Sequence, residues 1–286
     1  METRATVIIP TFGSAKFARW AIRSVQQQTV KDIEICIICD GSPESMISFF
    51  KNIEKEDPRI EVYVFPKSPK VGESYRDIVI KQTTGKIICY CGHDDLWLPN
   101  HVQIMEEALK ECYFTHSIHV QINLPEYIKY ANTLVEYVFL IDLNREIIKR
   151  MQGKANYFGL AFVAHTRKSY NELEEGWVTT PEDTWEDLYM WRKFLAAFGE
   201  HCKTTKKVTA LKFAKYTRKH WTEQQRDEEL RQYFEKIYDP VFITQLQKDV
   251  FSYPRNFQMA LHTNQLIRWA TLLTMRSISF LNQRFR

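Results

Sequence analysis

The chain reads as an α/β protein, a mostly parallel sheet flanked by helices, followed by a basic helical extension. Three observations carry this reading. Near-continuous apolar runs recur at residues 6–10 (TVIIP), 33–39 (IEICIIC) and 87–91 (IICYC), with helical periodicity between them. Strands apolar on both sides require a helix layer over each face of the sheet, which is the parallel arrangement. Each run then stops at polar residues (Thr11, Asp40 and the group His93, Asp94 and Asp95), so parallel neighbours would gather those residues along one rim.

In order, the first strand ends in Thr11, Phe12 and Gly13, and the helix after it sets Phe17, Ala18, Trp20, Ala21, Ile22 and Val25 on its apolar side. The second strand is stopped by Asp40–Gly41–Ser42–Pro43. Ser42 and Pro43 read as the N-cap and first residue of a helix running through Phe50 and Ile53. Residues 60–65 alternate as a third strand, 72–84 read as a helix, and Gly85 turns the chain into the central strand. Further on, 127–151 has a helical apolar pattern and 157–165 (YFGLAFVAH) reads as a strand. Residues 223–251 read as one or two amphipathic helices broken near Pro240.

With 286 residues, 44% hydrophobic and 26% charged, the chain suits one large α/β domain with an appendage. The expected division is 1–205, with halves 1–112 and 113–205, and a basic extension over 206–286. No stretch supplies the roughly 20 apolar residues of a spanning helix, and the start lacks the pattern of a signal peptide. Cys36, Cys39, Cys89 and Cys91 fall inside apolar strands, so they read as buried small hydrophobes in a reducing, cytoplasmic setting. From Lys203 onward there are 16 Lys/Arg against 7 Asp/Glu, while the residues before it carry 23 against 28. That asymmetry points to an anionic partner for the tail. Residues 258–286 intersperse Leu, Ile, Trp and Phe with Arg268, Arg276, Arg284 and Arg286. Such a helix either lies in a membrane interface over anionic lipid, a peripheral contact at the inner face, or packs on protein.

The chemistry concentrates in two stretches. Residues 86–100 (KIICYCGHDDLWLPN) place Asp94 and Asp95 just past the central strand, where adjacent carboxylates suit a hard divalent cation and the diphosphate it carries. Capping of the following helix is the alternative. Glu182, Asp183, Glu186 and Asp187 crowd a second helix start. Carboxylates there complement the helix dipole, which accounts for acids at this place without selecting one of them. No P-loop and no G-x-G-x-x-G occurs, so phosphate is not held by either of those cradles. Trp97, Trp177 and Trp185 are candidates to stack on a ligand's flat face, with core packing as the alternative. His116 and His119 read as structural.

Four blocks, in order and spacing, resemble family-two glycosyltransferases of the GT-A fold, of the bacterial polysaccharide and glycolipid type: VIIPTFGSAKFARWAIRSVQQQT, EICIICDGSPES, VGESYRDIVIKQTTGKIICYCGHDDLW and GWVTTPEDTWEDLYMWRKF. The resemblance implies an enzyme that moves a sugar, with inversion, from a nucleotide diphosphate sugar to a hydroxyl of a saccharide or glycolipid acceptor. It implies that Pro10, Thr11, Phe12 and Asp40 hold the nucleoside and that Arg76 lies near the diphosphate. It further implies that His93, Asp94 and Asp95 face the donor, with Mn2+ or Mg2+ on Asp94 and His93 as a further ligand. Asp187, four residues before Trp191, matches the base, with Asp183 second. Gly92 stands where the family usually has the first Asp of its metal motif, so a degenerate member that binds nucleotide or partners without transfer is the alternative. A sugar-nucleotide nucleotidyltransferase would need a Gly-rich, basic loop after the first strand, and TFGSAKF is a poor version of one.

Overall fold

The computed structural model describes residues 3–13, 16–131 and 133–252. The first half alternates as expected: β1 (Ala5–Phe12), α1 (Ala18–Gln26), β2 (Ile33–Asp40), α2 (Glu44–Glu56), β3 (Ile60–Phe65), α3 (Glu73–Gln82) and β4 (Ile87–Tyr90). It continues with β5 (Asp95–Trp97), α4 (His101–Ala108), β6 (Phe114–His116), β7 (His119–Ile122), α5 (Pro125–Ala131), β8 (Val135–Phe139) and α6 (Arg145–Gln152). Then come β9 (Val163–Thr166), α7 (Arg167–Glu172), α8 (Glu186–Phe198), β10 (Cys202–Thr204), β11 (Ala210–Lys212), α9 (Glu223–Lys236) and α10 (Pro240–Ser252).

The main sheet has the order β10-β6-β9-β4-β1-β2-β3 and is parallel except for β9, which runs antiparallel to both neighbours. The apolar strands are the reason. Ile35, Ile37, Val7, Ile9, Ile88 and Cys89 are all buried, which only a sheet covered on both faces allows. All six cysteines are free and buried. Register brings the strand ends together: Phe12 pairs with Asp40, and Ile8 with Tyr90. A smaller sheet, β5-β11-β7-β8, stands beyond β4.

Three expectations change. Within 127–151, β8 interrupts the helical pattern because it pairs antiparallel with β7, Val120 opposite Val138, and that partner outweighs local periodicity. Within 157–165 the strand is confined to β9, because Leu160–Phe162 closes a 3-10 turn with the Phe162 N–H on the Gly159 carbonyl at 3.2 Å. Helix α2 begins at Glu44 with Pro43, extended at ψ 152°, in the cap position, and Ser42 supplies no capping bond.

The chain divides into compact units Met1–Val250 and Phe251–Arg286. Residues 206–250, expected to open the extension, thus belong to the larger unit. β11 pairs antiparallel with β5, and Trp20 Nε1 of α1 donates to Asp227 of α9 at 2.9 Å. The buried Arg218–Glu229 pair, at 2.6 and 2.7 Å, secures α9. The amphipathic stretch 258–286 lies outside the described residues. Among the described residues no helix is long and apolar enough to cross a membrane.

Candidate active site

β1 and β2 end side by side, and the nucleoside-side residues expected from sequence lie there. Asp40 is 2% exposed, and its carboxylate accepts the Ser68 N–H at 2.5 Å, the Ser68 hydroxyl at 2.9 Å and Lys67 Nζ at 2.6 Å. Gly72 makes this possible. Its φ is +68°, and a Cβ there would stand 3.0 Å from the Asp40 Cβ. Phe12 is exposed at the rim, whereas Thr11 turns inward and its hydroxyl donates to the Ile38 carbonyl at 3.1 Å. That hydroxyl ties β1 to β2 and leaves only backbone for a ligand. His93 packs edge-on against Phe12 at 5.5 Å and stacks along Phe17 at 5.9 Å. Burial lowers its imidazole, and the Pro10 backbone engages it.

Past β4 the chain turns at Gly92 and enters β5, where antiparallel pairing sets Asp95 opposite Lys212 of β11. Lys212 Nζ lies 3.1 Å from Asp95 and 3.8 Å from Asp94. Arg226 of α9 donates to Asp94 at 3.3 Å and to the Phe213 carbonyl at 3.2 Å. Burial raises the Asp95 carboxyl, and Lys212 only partly offsets it. Burial acts the same way on Asp94, but Lys212, His93 and Arg226 outweigh it and hold that carboxyl below the ordinary range. Burial opposes the Lys212 charge, yet Asp95 and Asp94 keep it raised. Glycine at 92 is part of this arrangement, since a Cβ there would sit 2.4 Å from Asp95 Oδ2.

The second stretch closes the site from α8. Asp187, in its first turn, accepts Asn156 Nδ2 at 2.9 Å and the Leu188 N–H at 2.8 Å. A Cβ on Gly159 would lie 3.8 Å from both Asp187 Oδ2 and His119 Cε1, so carboxylate and imidazole flank one backbone position. His119 Nδ1 accepts the Gly159 N–H at 3.2 Å, while His119 Nε2 and Asn156 Oδ1 are buried without partners among the described residues. Burial lifts Asp187 to about 6, against the Leu188 N–H, Arg76 and Lys212, which pull it down. Arg76 is 4% exposed, lies over the Trp177 ring at 4.4 Å, and its buried Nε has no partner among the described residues. A buried guanidinium so poorly satisfied is costly until an anion arrives.

Asp183 lies apart, exposed, accepting only a Thr184 hydroxyl bond at 3.2 Å among the bonds seen. Trp97 is core, stacked on His101 at 3.9 Å, and Trp177 is buried beneath Arg76. Of the three tryptophans only Trp185 is open, at 68%. Lys67, Ser68, His119, Asn156, Lys212 and Arg226 were not singled out from sequence as site residues. For Lys67 and Ser68 a signal existed, since they directly follow β3 at the same rim. Lys212 and Arg226 carried none beyond the tail's basic charge.

Residues 6–173 match the model of glycosyl transferase family 2. The chain belongs to that family. Among family-named relatives, an uncharacterised glycosyltransferase of Rickettsia felis is 36% identical over 124 residues, 43% of this chain and 20% of that protein. The GalNAc(5)-diNAcBac-PP-undecaprenol beta-1,3-glucosyltransferase of Campylobacter jejuni is 26% identical over 110 residues, 38% of this chain and 36% of that protein. The matched stretch thus spans about a fifth to a third of these relatives. Residues 1–349 of S. aureus TarS in complex with UDP-GlcNAc superpose with a TM-score of 0.57 at 13% identity, covering 90% of this chain and 75% of that one. The mannosyltransferase PcManGT of Pyrobaculum calidifontis, in complex with GDP-Man and Mn2+, gives 0.51 at 13% identity, covering 97% and 85%. Both likenesses show the GT-A fold.

The family resemblance implies a divalent cation on Asp94. The residues present do not fit one. Both Asp94 oxygens already face cations, Oδ1 toward Lys212 at 3.8 Å and Oδ2 toward Arg226 at 3.3 Å. The His93 ring is taken up by Phe12, Phe17 and the Pro10 backbone. Among the described residues no group of three or more His, Cys, Asp or Glu is placed to hold a metal. A cation at a diphosphate draws most of its oxygens from phosphate and water but still needs one or two free carboxylates, and here both Asp94 oxygens already face cations.

Proposed function

We propose that this protein is an inverting glycosyltransferase that moves a sugar from a nucleoside diphosphate sugar to a hydroxyl of a saccharide or lipid-linked acceptor. The observation that carries the reading is Asp187, a carboxylate lifted to about 6 and within electrostatic reach of two cations, the buried Arg76 and the half-buried Lys212. A base of that strength is largely ionised near neutral pH and still able to take a proton. The nucleoside lies against Pro10, Phe12 and Asp40, and the donor's diphosphate faces Arg76 and the Asp94–Asp95 turn. The acceptor oxygen attacks the anomeric carbon opposite the diphosphate while Asp187 takes its proton. The bond from that carbon to the phosphate oxygen breaks, and its electron pair leaves with the nucleoside diphosphate. Arg76 then meets the growing negative charge, which is the kind of preorganised stabilisation that contributes most to such barriers. One displacement without a covalent intermediate inverts the centre. The undecaprenol-linked name of the Campylobacter jejuni relative supports a lipid-linked acceptor, and the basic residues from Lys203 onward suit work beside anionic headgroups.

The test is turnover of UDP- and GDP-sugars, as hydrolysis and as transfer to polyprenyl-linked acceptors, by the intact chain and by Asp187→Asn. The expected loss in kcat is about 10²- to 10⁴-fold with donor KM little changed. Unchanged turnover in Asp187→Asn removes Asp187 as the base, and full activity in Asp183→Asn at the same time leaves the runner-up without a role.

A further inference from the structure

We infer that Lys212 and Arg226 are the diphosphate-binding cations of this chain, and that donor binding here needs no divalent cation. The inference rests on the transferase reading above and adds to it two residues that lie beyond the part matched by the family model, which ends at 173.

The argument begins with charge. Asp94 and Asp95 supply two negative charges at the turn after β4, and Lys212 and Arg226 return two positive charges to the same place. Two unit cations thus take up the electrostatic work of one divalent ion. Any metal brought to Asp94 must displace them or sit against them. Position 92 agrees: an Asp there would add a third carboxylate, but its Cβ would start 2.4 Å from Asp95 Oδ2 and drive Asp95 off Lys212.

Both cations are held by backbone-determined geometry. Lys212 faces Asp95 because β11 and β5 are register partners at those residues. Arg226 is fixed by the Phe213 carbonyl at 3.2 Å and by the Phe17 ring, 5.4 Å from its guanidinium carbon. Each still has hydrogen-bonding capacity to offer. The ammonium has three N–H groups and, among the described residues, is within hydrogen-bond distance only of Asp95, its 3.8 Å approach to Asp94 being too long. Arg226 is 5% exposed and its Nε is buried without a partner among the described residues, a donor awaiting an acceptor. Lys215, over the Phe12 ring at 4.9 Å, extends the positive charge toward the nucleoside side. A diphosphate offers acceptor oxygens for the N–H groups that the two carboxylates leave unmet, and Lys215 adds positive charge that they do not balance.

The experiment is calorimetric titration of the intact chain with UDP, GDP, TDP and CDP, once with Mn2+ and once with EDTA. The nucleotide that binds is expected to do so with the same Kd, within about twofold, in both buffers. Arg226→Gln, and Lys212→Met made together with Asp95→Asn so that no carboxylate is stranded, are each expected to weaken it by roughly tenfold or more, without rescue by Mn2+. Melting curves establish that each variant is folded, and Arg226→Gln alone decides the matter if the paired variant is not. Binding that appears only with Mn2+ and vanishes in Asp94→Asn overturns the inference and leaves the transferase reading standing. Binding of none of the four in either buffer overturns that reading, and the inference with it.

Discussion

Asp187→Asn tests the site through stability as well as through rate. The Asp187 carboxyl moves from 3.8 to about 6, with burial as the largest cause. That rise corresponds to about 3 kcal/mol, and partial exposure of the site discounts this to about 2 kcal/mol. The folded state binds this proton more tightly than the unfolded chain. The stabilising contribution is therefore full below about pH 4 and is lost as pH rises through about 6. At pH 7.5 the wild type bears the cost of an ionised, desolvated carboxylate and the variant does not. Asn keeps an oxygen for Asn156 Nδ2 and the Leu188 N–H, whose bonds are 2.9 and 2.8 Å. The charged or titratable groups facing Asp187 are Arg76, Lys212, Glu186 and His119, and all are common to both proteins. Asp95, also raised by burial, likewise cancels in the comparison. The variant should melt about 4–8 °C above wild type at pH 7.5, with the gap closing near pH 4. Scanning calorimetry across that range reads it directly, and turnover of the wild type should rise with pH along a limb near 6. If the variant is no more stable at pH 7.5, or the gap does not close in acid, desolvation is not what raises Asp187.

Other expectations follow from single contacts. Arg76→Met removes a buried guanidinium whose Nε lacks a partner, so melting temperature should hold or rise while turnover falls at least about tenfold; a drop in both would mean that Arg76 serves the fold. Gly92→Asp should cost about 1–3 kcal/mol by urea titration, because its Cβ meets Asp95 Oδ2 at 2.4 Å, and an unchanged midpoint would show that Asp95 moves freely. Arg218→Ala strands Glu229, which is 5% exposed, and should cost about 3–5 kcal/mol; a loss under about 1 kcal/mol would show that α9 is held by other contacts.

The layered fold and the rim that carries the chemistry were legible in the amino-acid order. Runs such as IEICIIC report burial on both faces locally, and polar residues at the ends of such runs report the rim. Asp40, Arg76, Asp94, Asp95 and Asp187 were singled out in that way or by resemblance, and the structure gathers Asp94, Asp95 and Asp187 about Lys212 through contact or charge, with Arg76 reaching Asp187. The inward turn of Thr11, the burial of Trp97 and the strand β8 were not legible, because each depends on which neighbour a strand finds. Lys212 is the clearest case. It stands 117 positions from Asp95 in a three-residue strand, too short for any periodicity to mark. Only the antiparallel pairing of β5 with β11 sets the two face to face, so the sequence by itself determined the sheet and its acidic turn. The folded chain decided which charges that turn would meet, because a cross-strand ion pair is a property of register and not of local order.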